Sequence, residues 1–360
     1  MSADKLTLHL VTVVLSIAAL VPVPARGGEQ EEQTTDDRIK AWVSSWGGDQ
    51  ADPRQRLPFM DQVRVIRRFT PEDVGVIVKR MDEPEGTERR HHGYGIAWDI
   101  IEYSENKNVR QAILLALLQR KINEPFSKGI EELSTMCVSE DFSAECKRLL
   151  FDGALALEQS GKITGPIIRL IGLAEIREAL PMLDSIEARI QSEMGYDPLS
   201  RASADTKMTL RSERAIVWNC LLVRARWGDK AAMGRAIQVI DSLPDERDRV
   251  MQSASLVMRT ARREAIEYTM QFLYSDAKLN PDAEFSMSYG THVVGSLSTF
   301  IPDLPVGKGL DASRKWMKEH EKDYRITVRT SRMASAQRRE EYEKREKAAK
   351  EQCDKKDGTP

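Results

Sequence analysis

Between Ile163 and Gln191 the chain reads ITGPIIRLIGLAEIREALPMLDSIEARIQ, two short apolar-periodic segments joined by a tight turn. Ile163, Ile167, Leu170 and Ile171 fall on one helical face. After a break at Gly172, the set Ile176, Ala179, Leu180, Leu183, Ile186 and Ile190 makes a second face at the same period. Neither helix can bury its stripe alone. A hairpin of this kind needs a neighbour on each side, which points to an array of helical units rather than to a compact enzyme domain.

Other stretches echo this one. The string ALPMLDSI at Ala179 returns as AIQVIDSL at Ala236, 57 positions on, and REAIEYTMQFL places Ala265 a further 29 positions along. Two units of roughly 29 residues nearly make 57, as an array with one degenerate unit would. VRQAILLALLQRK, with Arg110, Gln111, Ala112 and Ile113, opens a helix in a similar way at irregular spacing. The strings NVRQAILLALL, IIRLIGLAEIREALPMLDSI and LVRARWGDKAAMGRAIQVIDSL resemble HEAT repeats of the short bacterial type, over residues 60 to 275. The resemblance implies an all-α fold, an α-solenoid of antiparallel helical hairpins. It brings no catalytic residues, because units of this family encode packing.

The N-terminus has a different character. Lys5, the apolar run LTLHLVTVVLSIAALV, and Val23 and Ala25 at the −3 and −1 positions make residues 1–25 a secretory signal peptide. An uncleaved membrane anchor is the alternative, and two prolines at the end of the run favour cleavage. The expected location is therefore periplasmic or extracellular. Net charge −2, with 31% charged and 41% hydrophobic residues, excludes a general nucleic-acid binder and fits an exported soluble protein. Membrane contact is expected only through residues 1–25.

Residues 26–36 are polar and read as a flexible segment, followed by an array over 37–275. The first helix starts at Thr35 or Asp36 and carries Ile39, Trp42, Val43 and Trp46. Thr70, Pro71, Glu72 and Asp73 cap a helix ending near Met81. A charged loop over 82–90 follows, with Gly93 and Gly95 framing the next helix start. A second loop spans 193–207. Residues 276–310, poor in charge and rich in Gly, Ser, Pro and apolar residues, form a capping or binding lobe. Residues 311–360 are a charged helical tail, with Asp311 as N-cap and Trp316 docking on that lobe. In that tail Glu340 with Lys344, Glu341 with Arg345, Glu343 with Lys347 and Glu346 with Lys350 stand at i,i+4, each pair contributing about 0.2–0.5 kcal/mol to an exposed helix.

Cys137 and Cys146 bracket VSEDFSAE and are a candidate disulfide across a helical turn; two buried free thiols are the other reading. Cys220 sits in an apolar run and Cys353 in the tail. The metal candidates are His91 and His92 beside Tyr94 and Asp99. Adjacent histidines diverge on a helix, and neither HExxH nor CxxC occurs. His292, with Tyr289, Ser296, Ser298 and Asp303 nearby, makes a Ser, His and Asp set on paper without a Gly-x-Ser-x-Gly elbow. No cofactor motif is present. The leading expectation is a non-catalytic protein–protein scaffold in the cell envelope. Its alternative is a metal-dependent or hydrolytic enzyme using His91 and His92, or His292.

Overall fold

Side-chain caps place many of the helix starts. A computed structural model describes residues 34–46, 59–124, 128–200, 213–283 and 286–328, with Glu340 and Lys344. The first seven helices are α1 (Thr35–Trp46), α2 (Phe59–Ile66), α3 (Val74–Met81), α4 (Glu88–Tyr103), α5 (Lys107–Lys121), α6 (Lys128–Met136) and α7 (Ala144–Gln159). The next four are α8 (Gly165–Leu173), α9 (Leu180–Met194), α10 (Glu213–Arg226) and α11 (Lys230–Asp241). Then come α12 (Glu246–Thr260), α13 (Arg263–Met270), α14 (Tyr289–Leu297) and α15 (Leu310–Glu319). Thr87, Asn106, Ser143, Asp229, Asp245 and Ser288 each accept a backbone N–H from the first turn of the helix they precede. That satisfies donors the helix itself leaves unpaired. Among the described residues the fold is all-helical, and β-pairing is limited to one isolated bridge between Lys278 and Ser288.

Packing follows alternate helices. α6 packs on α8, α8 on α10, α10 on α12 and α12 on α14; on the other side α3 packs on α5, α5 on α7 and α7 on α9, and α11 on α13. Sequential neighbours join the two rows, as α7 does α8 and α10 does α11. One buried apolar cluster runs through them from Ile39 to Tyr324. α8 and α10 are the most deeply covered helices among the described residues. In α8 every residue except Arg169 is buried, whereas α9 and α11 keep a polar outer face.

Several sequence expectations need correction. The hairpin breaks at Glu175, which takes a left-handed φ of 57°, and not at Gly172. Gly172 lies inside α8, where the absence of a Cβ lets α10 approach. Leu180 is 43% exposed while Leu183 is fully buried, because α9 starts only at Leu180 and the turn before it shifts the face. The loop after Met81 ends at Thr87, so His91, His92, Gly93 and Gly95 lie within α4. Both glycines serve close contacts there: a Cβ would stand 2.7 Å from the Met81 nitrogen at Gly93 and 2.6 Å from the Trp42 ring at Gly95. α1 begins at Thr35, as expected of the first helix, so the flexible segment assigned to 26–36 does not include residues 35 and 36.

At the C-terminal end, α14 packs on α12 and α13, and α15 on α14. The cap of α15 is Gly309, with φ 91°, and Asp311 sits in its first turn instead. The helix stops at His320, so the long charged helix expected from Asp311 is interrupted, and residues 324–328 carry no regular structure. The signal segment, Cys353 and most of the tail lie outside the described residues. Glu340, expected to pair with Lys344, forms a hydrogen-bonded ion pair with Arg67.

Candidate functional site

The histidines singled out in the sequence do not assemble a reaction centre. On α4, His91 is exposed and His92 half-buried, with ring centroids 6.3 Å apart. The His92 ring meets the edge of Trp42, and its Nε2 lies 3.6 Å from Glu88 Oε1. Burial holds the His92 pKa below its ordinary value, against the pull of Glu88. Asp99, the proposed companion ligand, accepts the Trp42 indole N–H at 2.8 Å. Among the described residues no three His, Cys, Asp or Glu side chains converge to hold a metal ion.

On α14, burial likewise holds His292 below its ordinary pKa. The hydroxyls expected beside it are turned to their own helix: Ser296 donates to the His292 carbonyl at 3.2 Å and Ser298 to the Gly295 carbonyl at 2.7 Å. Neither hydroxyl bonds the imidazole. His292 instead lines an apolar groove with Met258, Met287, Val294 and Leu310. Cys137 and Cys146 flank the turn between α6 and α7 as free buried thiols, and Cys220 is a third. Burial raises the pKa of each, which disfavours the nucleophilic thiolate.

A different set of residues does converge. Arg169 of α8, Arg226 of α10 and Arg259 of α12 line one small cavity of about 10 Å³ together with Asn219, Gly172, Leu173, Leu222 and Val223. Each of three successive helices of the first row contributes one guanidinium. The close approach at Gly172 is what brings α8 and α10 together here: a Cβ on it would stand 2.5 Å from Val223 Cγ2. The Trp227 indole N–H donates to the Gly172 carbonyl at 3.3 Å and holds the same junction.

The cluster has no carboxylate in its lining. Arg169 makes neither a hydrogen bond nor an ion pair with any described residue, and its Nε is buried without a partner. Arg226 Nε is also buried and unpartnered, while its Nη1 donates to the Arg259 carbonyl at 3.2 Å. Arg259 donates to the Asn219 side-chain oxygen. Burial, then the charges of Arg259 and Arg226, push Arg169 down to about 9, and burial alone takes Arg259 to about 10. Burial also lowers Arg226, with Glu175 the one acid opposing it. All three remain cations at neutral pH.

Elsewhere several buried or half-buried arginines find acids. Arg38 pairs with Asp73, Arg110 with Asp141 and Glu140, Arg224 with Asp184 and Arg314 with Asp276. Three neighbouring guanidiniums without a carboxylate repel one another in a partly desolvated cavity, a cost that proteins ordinarily relieve by pairing. Arg226 and Arg259 end α10 and α12, where the helix carbonyls offset part of their charge. Arg169 has no such relief. The arrangement is a small positive cavity with spare guanidinium donors and room for about one water.

Sequence reasoning missed this cluster, although two signals were there. Arg169 is the single charge in the apolar helix GPIIRLIGL, and it precedes Ala179 by the same ten positions by which Arg226 precedes Ala236. Comparison of the sequence with known protein families and with characterised proteins finds no match.

Proposed function

We propose that this chain is a non-catalytic, exported α-solenoid of HEAT-like antiparallel hairpins that serves as a protein-binding scaffold in the cell envelope. The observation that carries this reading is the alternate-helix packing, in which α6, α8, α10, α12 and α14 form one row. Alternate-helix packing of that kind is what stacked successive units produce, and arrays of such units offer extended surfaces that bind other proteins. The repeated strings at Ala179 and Ala236 agree with it, and the apolar stretch before Arg26 is the reason for placing the protein outside the cytoplasm.

Three experiments test the proposal. Affinity capture from envelope extract with the processed full chain should retain one protein at stoichiometric amount, and an extract that yields none overturns the scaffold role. Solution scattering should give a radius of gyration well above the roughly 20 Å of a compact domain of similar length. A value at that compact limit overturns the solenoid. Mass measurement of the exported product should find Arg26 at its N-terminus.

A further inference from the structure

We infer that the groove between α12, α14 and the start of α15 is a binding site for one uncharged, single-chain aliphatic molecule carrying one hydrogen-bonding head, an aliphatic alcohol or ester. This inference does not depend on the scaffold reading.

Size separates the classes of occupant. The groove measures about 510 Å³, inside the roughly 300–1,000 Å³ of sites that enclose small molecules. Eleven residues line it, whereas a stable protein interface draws on roughly 20–30 a side. A second copy of the chain or another protein would need far more surface than this. The wall then separates the ligands. Met258, Met287, Val294, Val306 and Leu310 form it, and no Phe, Tyr or Trp is among the lining residues. Methionine adapts to a flexible apolar chain, and without such a ring a planar ligand finds no face to stack on. Gly295 keeps the groove open, since a Cβ there would meet no atom within 4 Å.

Charge decides the head. Among the described residues no Asp, Glu, Lys or Arg lines the groove, so an ionic head would lose hydration with no opposite charge to replace it. The Thr291 hydroxyl is engaged with that of Ser288 at 2.9 Å, and Ser296 donates to the His292 carbonyl. The half-buried His292 ring bonds no described residue, which leaves one donor and one acceptor for a ligand. Burial lowers its pKa and no charged side chain opposes that, so the ring is neutral at neutral pH. A neutral imidazole beside an apolar wall fits an uncharged head that makes one hydrogen bond.

The test is calorimetric titration of the full chain with octanol, octanoate and octylammonium at neutral pH, each held below its own self-association. Saturable octanol binding at one per chain is expected, with both ions weaker by at least about ten-fold. Gly295→Leu fills the groove from a helix position with open space around it and should bind no octanol. Leucine is the better helix former, so the fold is retained, and circular dichroism will establish it. Gly234→Leu, an equally open helix glycine on α11, should bind as the parent does. Met287→Glu sets a charge at an exposed rim position and should weaken octanol binding, and His292→Leu should raise its Kd about five-fold through the lost hydrogen bond.

Absence of saturable octanol binding overturns the proposal, as does undiminished binding by Gly295→Leu. Octanoate or octylammonium binding as tightly as octanol overturns the uncharged assignment, and an unchanged Kd in His292→Leu overturns the hydrogen-bonded head. Dimerisation seen by light scattering and abolished by Gly295→Leu would assign the groove to a second copy of the chain and overturn the small ligand.

Discussion

Gly172 of α8 lies so close to Val223 of α10 that a Cβ on the glycine would stand 2.5 Å from the valine Cγ2, with two further valine atoms at 3.3 Å. Val223 is itself buried and has little room to turn away. Alanine at position 172 would gain about 1 kcal/mol in helix propensity and lose about 1–3 kcal/mol to overpacking. The second effect should win. Gly172→Ala is expected to lower the urea midpoint at unchanged m-value. A rise in the midpoint would mean that α8 and α10 can separate without cost.

The two leucines at the start of α9 provide a paired test. Leu183 is fully buried and Leu180 is 43% exposed. Leu183→Asp places an unpaired carboxylate in the core and should cost several kcal/mol, enough to abolish a cooperative melt. Leu180→Asp should stay within about 0.5 kcal/mol of the parent. Equal losses in thermal denaturation would show that the face of α9 is rotated from the one described.

The same pair shows where sequence patterning reaches its limit. A 3.6-residue period assigns both leucines to one stripe, but Leu180 stands at its edge and at the first residue of α9. The 3-10 turn at Arg177–Ala179 delays the start, and Leu180 falls outside. Helix existence was legible at α1, α3, α4, α5, α8, α9, α11 and α13, where the apolar residues recur at helical spacing. Glycine roles were not. Gly93, Gly95 and Gly172 read as punctuation in one dimension, and their purpose is a contact made by a distant segment. The arginine cluster was hidden for the same reason, since α8, α10 and α12 lie side by side only once the rows form.

Asp73 ties α1 to the turn before α3. It accepts from Arg38 at 2.6 Å, from the Thr70 N–H at 2.7 Å and from the Thr35 hydroxyl. Burial opposes its ionisation, but these donors outweigh burial and hold its pKa below the ordinary 3.8. A depressed folded-state value contributes stability that is present above 3.8 and is lost as pH falls through that lower value. Asp73→Asn should therefore cost about 1–3 kcal/mol at neutral pH. The difference from the parent should shrink as the medium is acidified below pH 3.8. A difference independent of pH over that window would show that the charge of Asp73 is immaterial.

The thiols of Cys137, Cys146 and Cys220 are free, buried and raised in pKa by that burial. Under native conditions none of the three should react with an aromatic disulfide reagent on the timescale of an exposed thiol, and all three should react once the chain is unfolded. Peptide mapping after alkylation will assign each site. A Cys137–Cys146 bridge in the unreduced protein would appear as two fewer reactive thiols after unfolding, and would mean that the turn between α6 and α7 closes further than described.

Arg110 and Asp141 form the most deeply buried ion pair among the described residues, 2% and 1% exposed, joined at 2.6 Å. Arg110 also donates to the Ser104 carbonyl at 2.6 Å, and Asp141 accepts the Val138 N–H at 2.8 Å. Burial pushes the Asp141 pKa above its ordinary 3.8, and the Val138 N–H and Arg110 oppose that rise. Removing the cation leaves a buried carboxylate, so Arg110→Met should cost about 3–5 kcal/mol at neutral pH. The sign with pH is opposite to that at Asp73. A raised folded-state value contributes stability that is full below 3.8 and lost as pH rises through the higher value. In the variant, without Arg110 to oppose it, that value climbs further, so Arg110→Met should differ least from the parent in acid and increasingly as pH rises toward neutrality. Adding Asp141→Asn to the variant should recover part of the loss at neutral pH and little of it in acid. Urea unfolding of the three proteins between pH 3.5 and 7.5 checks both statements, and a loss that does not vary with pH would place the cost in packing rather than in the stranded charge.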